Sequence, residues 1–89
     1  MDVFVTRLNK LIEENKITRY RLAKDLKVNG QTVTFWCEGT NEPKISYLRQ
    51  LALYFDVSAD YLLGLEDEGG GKYSNSFNNF SNSGTVNIR

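Results

Sequence analysis

Within four residues, Asn29, Gly30, Gln31 and Thr32 place two carboxamides and a hydroxyl around a glycine, and Phe35 follows a helical turn after Gln31. Side chains of these types read the major-groove edges of base pairs: Asn and Gln match the N6/N7 edge of adenine, and Thr meets a thymine methyl or a polar edge. Between Arg7 and Lys27, seven basic residues (Arg7, Lys10, Lys16, Arg19, Arg21, Lys24, Lys27) stand against three acids, Glu13, Glu14 and Asp25. That local excess suits phosphate contact, the sequence-independent, salt-sensitive share of nucleic-acid binding. Arg19 is the foremost candidate, because it falls in the first turn of a helix whose backbone N–H groups also attract an anion.

Other chemistries lack their residues. The chain has no His and a single cysteine, Cys37, which excludes Cys/His zinc sites, His-assisted nucleophiles and an intrachain disulfide. No carboxylate pair or nucleophile constellation points to an enzyme, and no cofactor or small-molecule substrate is implied. Lys+Arg and Asp+Glu are 11 each, so net charge indicates no partner. Apolar stretches such as Leu51 to Phe55 fall far short of a bilayer span of roughly 20 residues, and Met1 to Arg7 does not read as a secretory signal. One reduced thiol fits an intracellular protein.

The elements that must position these residues are helices. Phe4, Leu8, Leu11 and Ile12 recur at helical spacing, so a first helix is expected over about residues 2 to 15, with Asp2 at its cap or first turn. Thr18 caps a second helix with Leu22, Ala23 and Leu26 on its apolar face. Asn29 caps a third, with Val33 and Trp36 inward and Gly39 as its left-handed end. After the Asn41-Glu42-Pro43 loop, Leu48, Leu51, Ala52 and Phe55 define a fourth, and Ser58 caps a brief fifth that Gly64 ends. Residues 1–65 therefore read as a compact all-α domain. A domain of this size buries only about 60% of its unfolded surface and gains from a partner subunit.

The stretch Thr18 to Gly39, TRYRLAKDLKVNGQTVTFWCEG, has two short helices joined by a tight turn, the layout of a helix-turn-helix. Ala23 is small where the helices approach, and Val33 and Trp36 fasten the second helix to the rest. With the helix 2 core LAKDL, the recognition-helix run QTVTFWCEG, the Pro43-Lys44 loop and the ending LRQLALYFDVSADYLLG, the chain resembles the phage-repressor and Cro type of helix-turn-helix proteins, the XRE family, over Phe4 to Gly64. The resemblance implies a five-helix, lambda-repressor-like fold. It implies base contacts from Asn29, Gly30, Gln31, Thr32 and Phe35, and phosphate contacts from Arg19, Thr40, Asn41 and Lys44. It also implies a dimer contact at the end of the fourth helix and the following turn, through Tyr54, Phe55, Val57 and Tyr61, which read equally as core.

Two positions depart from the family pattern. Lys27 stands where the turn usually has Gly, so either Lys27 takes a left-handed conformation at a cost of about 1 kcal/mol or the turn shifts toward Asn29-Gly30. Phe35 stands at a commonly polar position, which favours contact with a thymine methyl; packing against the fourth helix or a partner, or plain exposure, are its other readings. Trp36 reads as core and Cys37 as filler. The basic cluster also reads as a solvated face with pairs such as Arg21–Asp25 four residues apart.

Composition changes after residue 65. Glu66, Asp67 and Glu68 followed by Gly69 to Gly71 read as a solvated, mobile linker over 66–72. Residues 73–89, YSNSFNNFSNSGTVNIR, repeat SNS and end in an alternating Thr85-Val86-Asn87-Ile88 run, which suggests a β-hairpin that pairs with another copy of the chain. A flexible tail, or an approach to a further domain, are the other readings. The functional expectation is a sequence-specific, non-enzymatic transcriptional regulator, a phage or prophage repressor or Cro-like protein. It would bind double-stranded operator DNA as a homodimer in the bacterial cytoplasm, associated with the nucleoid. An antitoxin using the same domain, or an interaction module without DNA binding, are the rivals.

Overall fold

Four of the five helices start where a polar side chain takes over a backbone N–H that the helix itself leaves unpaired. In the computed structural model, which describes residues 2–67, these are α1 (Val3–Glu14), α2 (Arg19–Leu26), α3 (Gly30–Glu38) and α5 (Ala59–Leu63). Asp2 accepts from the Phe4 amide at 3.2 Å, Thr18 from Arg21 at 3.0 Å, Asn29 from Gln31 at 2.8 Å and Ser58 from Tyr61 at 2.9 Å. The remaining helix, α4 (Ile45–Phe55), has no side-chain cap. It begins directly after Pro43-Lys44, and the Lys44 carbonyl takes the amides of Tyr47 and Leu48, both at 2.9 Å.

Four of the five helices end on a left-handed residue, and α1 ends on Asn15 in the right-handed region. Gly39 (φ 80°) and Gly64 (φ 84°) close α3 and α5, and Lys27 (φ 61°) and Asp56 (φ 57°) close α2 and α4. The turn between α2 and α3 is thereby settled: Lys27 itself carries the left-handed conformation, and Val28 donates back to the Ala23 carbonyl at 3.0 Å. Gly39 has a second reason to be glycine, since a Cβ there would sit 3.3 Å from Val5 Cγ2 where α3 closes on α1.

One fully buried branched residue from each helix meets at the centre: Leu8, Leu22, Val33, Leu51 and Leu62. Around them pack Phe4, Val5, Leu11, Ala23, Leu26, Trp36, Cys37, Ala52 and Phe55. Trp36 is core as expected, 2% exposed, with the Tyr47 ring 5.7 Å away. Among the described residues no strand forms, so the fold is all-α with the expected five helices. Asn9 contributes a fastening that the apolar pattern does not show. Its Nδ2 donates to the carbonyls of Val5 (2.8 Å) and Cys37 (2.9 Å), so α1 satisfies a carbonyl at the end of α3.

Two expectations are corrected. Arg7, counted among phosphate-facing cations, is 5% exposed: its Nη1 donates to the carbonyls of Tyr61 and Glu66, each at 2.6 Å, and its guanidinium lies 4.4 Å from the Tyr61 ring centroid. A cation is stable there because the Tyr61 carbonyl belongs to the last turn of α5, the negative end of the helix. Glu66, assigned to a solvated linker, is instead half-buried, with its carbonyl on Arg7 and its carboxylate accepting from Ser58 Oγ at 3.0 Å. The Gly run, the SNS repeats and the proposed hairpin lie outside the described residues.

Candidate nucleic-acid interface

α3 divides its residues by face. Val33, Trp36 and Cys37 are buried, which holds the helix against α2 and α1, while Asn29, Gly30 and Gln31 at its start are exposed and Thr32, Thr34 and Phe35 are half-exposed. The amide-bearing first turn is thus carried on a helix whose opposite side is fastened to the core. Asn29, Thr32, Asn41 and Lys44 line one open cleft of about 510 Å³, together with Val28, Trp36, Glu42 and Tyr47. Gln31 and Gly30 stand beside the cleft on the same helical start. Thr40 and Asn41 are set by the backbone: their amides donate to the Phe35 carbonyl at 2.9 and 3.5 Å, which ties the loop before α4 to the end of α3.

Arg19 lies apart from this cleft, at the first position of α2. The first intrahelical bond there runs from Leu22 N to the Thr18 carbonyl at 3.0 Å, so the Arg19 and Tyr20 amides precede it and face outward. The Arg19 guanidinium reaches back to Glu38 at the end of α3, 3.6 Å away. Tyr20 beside it is 74% exposed.

The basic cluster is more heavily paired than its sequence count suggests. Lys10 lies 4.0 Å from Glu14, and Arg21 Nε donates to both oxygens of Asp25, at 3.1 and 2.9 Å. Tyr54 from α4 adds its hydroxyl to the same carboxylate at 2.6 Å. The Tyr54 hydroxyl first, then Arg21, hold the Asp25 carboxyl below its ordinary range, and the same bond raises the Tyr54 phenol. Lys16, Lys24 and Lys27 are exposed.

At the expected dimer edge, Tyr54 stands half-buried with its ring edge-on to Phe55 at 5.0 Å. Phe55 is buried at 8% exposure, whereas Val57 and Tyr61 are half-buried and Leu53 and Leu63 are exposed. Cys37 is buried, and burial pushes its thiol above the ordinary value, with Arg19 opposing. A protonated, covered sulfur is a poor nucleophile.

Glu38, Glu42 and Tyr47 stand at or beside the expected contact residues, although their types assign them no contact. The acids carry no base-reading signal of their own, and Tyr47 enters the cleft only because α4 starts beside α3. Its position a few residues after Pro43 was the available hint.

Residues 6–68 match the family described as helix-turn-helix domain. Among solved structures, the chain is similar to one titled a transcriptional regulator from Listeria innocua, with 29% identity and a TM-score of 0.67 over 86% of this chain and 70% of that one. No curated protein matches the chain.

Proposed function

The chain belongs to the helix-turn-helix domain family, and from that membership we propose that it is a sequence-specific DNA-binding regulator of transcription whose α3 enters the major groove. Its family and its structural neighbour are of the regulatory kind rather than enzymes. The observation that carries the reading is the division of α3: an exposed Asn29-Gly30-Gln31 start on a helix anchored by Val33 and Trp36. Asn41 and Lys44 share the cleft beside it. In this reading Asn29, Gly30, Gln31, Thr32 and Phe35 meet base edges, and Arg19, Thr40, Asn41 and Lys44 meet phosphates.

The finer assignment is a phage or prophage repressor of the Cro type, acting in the cytoplasm on an operator with two half-sites about one helical turn apart. It would bind as a homodimer through the α4–α5 edge, where Tyr54, Val57 and Tyr61 flank the exposed Leu53 and Leu63 and Phe55 supports them from the core. Selection from a pool of random duplexes, followed by titration, tests the reading. A paired-half-site consensus is expected. Gln31→Ala should flatten the preference at one base pair by about 1–3 kcal/mol. Arg19→Ala should weaken binding to every sequence and reduce the salt slope by about one. A pool that yields no enriched site, together with unchanged low-salt affinity in both variants, sinks it; a single bound copy on one half-site sinks the homodimer alone.

A further inference from the structure

Arg19 and Glu38 come from different helices, Arg19 opening α2 and Glu38 closing α3, and they meet with Nη1 and Oε2 3.6 Å apart and side chains 42% and 57% exposed. We propose that Glu38 is an internal stand-in for a DNA phosphate, which occupies Arg19 in the free protein and lowers the affinity of the chain for any duplex. The proposal rests on the reading of Arg19 as a phosphate contact.

Three observations support it. The first is the position of Glu38 in its own helix. It is the last residue of α3, at the negative end of the helix dipole, where an acidic side chain is unfavourable. Gly39 already supplies the left-handed end, and Asn9 already takes the Cys37 carbonyl, so helix termination gives no reason for a carboxylate here.

The second is chemical equivalence. Carboxylate and phosphate oxygens offer a guanidinium the same kind of charged acceptor. A pair this exposed, and at 3.6 Å, is an exchangeable contact rather than a buried one. The third is that the pair spans two helices. The pairs Lys10–Glu14 and Arg21–Asp25 are each four residues apart on a single helix, where they serve helix stability. Arg19–Glu38 instead joins the start of the first helix of the motif to the end of the second, next to the loop that carries Thr40 and Asn41.

When the chain docks, a phosphate oxygen replaces the Glu38 carboxylate on Arg19. Glu38 is left without its partner and takes up a cation from solution, which offsets part of the counterion release that Arg19 would otherwise give. Removing the negative charge should therefore strengthen binding to all sequences alike and steepen its salt dependence.

The experiment is a double-mutant cycle on the full chain, titrated with a random-sequence duplex at several salt concentrations and checked for folding by thermal melts. Glu38→Gln keeps the side-chain size and removes the charge. It should bind about two- to fivefold more tightly than the wild type, the range of an exposed ion pair, with a salt slope steeper by up to about one. In the Arg19→Ala background the same change should give little gain, because the group it sequesters is gone. An equal gain in both backgrounds overturns the proposal in favour of direct repulsion between Glu38 and phosphates. No gain in a wild-type background that does bind DNA overturns it as well and leaves the DNA reading standing. Absence of DNA binding by the wild type at low salt removes the DNA reading, and this proposal with it.

Discussion

Asn29 uses its side-chain oxygen on the Gln31 amide, 2.8 Å away, so the residue that begins the reading helix also holds that helix in place. Its NH₂ group is aimed independently of the cap, whereas a two-pronged match to adenine would have to share the oxygen with the Gln31 amide. Gln31 has no such duty and is the better two-pronged reader. The double role of Asn29 can be separated by substitution. Aspartate caps as well as asparagine but turns a carboxylate toward DNA, so Asn29→Asp should melt within a degree or two of the wild type and lose most of its DNA affinity. Asn29→Ala should instead lose about 1 kcal/mol of stability along with the cap. Calorimetry and titration on both variants check this, and a marked fall in the melting temperature of Asn29→Asp would show that the oxygen is not acting as a cap.

α2 and α4 are joined through a single carboxylate, with Asp25 between Arg21 and the Tyr54 hydroxyl. The folded Asp25 carboxyl lies below its ordinary 3.8, so this linkage is fully present above that pH and is lost as pH falls through the folded value. The Tyr54 phenol lies above its ordinary 10.0; its share is present below that pH and lost as pH rises through the raised value. Tyr54→Phe should therefore melt below the wild type near neutrality, with the gap closing in strong acid and again in strong alkali. A gap that stays constant from pH 2 to pH 7 would assign the loss to packing instead. Arg21–Asp25 was legible in the sequence because partners four residues apart on a helix must meet. The caps and the buried faces were legible for the same reason, since each depends on neighbours within one helix. Tyr54 on Asp25, Glu38 on Arg19 and Asn9 on the Cys37 carbonyl were not, because each depends on how two helices are placed after folding.

At the scale of the molecule, Arg7 joins α1 to the end of the described chain. Two of its bonds, to the carbonyls of Tyr61 and Glu66, reach residues more than fifty positions away in sequence. The Tyr61 carbonyl keeps the Gly64 amide at 3.1 Å, but the charged bonds to both carbonyls and the contact with the Tyr61 ring are lost, so Arg7→Met should destabilise the fold by about 1–3 kcal/mol. Below its lower melting midpoint it should still bind DNA with an unchanged salt slope, since Arg7 faces no phosphate. A shallower slope in Arg7→Met would return this residue to the DNA-contacting set. The sequence placed Arg7 in the basic cluster because a count of charges cannot tell a cation folded inward from one facing solvent.

The same two bonds fix an origin for whatever is joined after Asp67. With the Leu65 amide on the Asp60 carbonyl at 2.8 Å and Ser58 on the Glu66 carboxylate, they hold the residues after α5 against the helices as far as Glu66. The span of a flexible linker grows as about the square root of its residue number, and the local concentration of an attached module falls as about the −3/2 power of linker length. A flexible linker joined here would therefore be counted from Glu66 rather than from the end of α5, which would keep an attached module closer to the helical domain and raise its local concentration there.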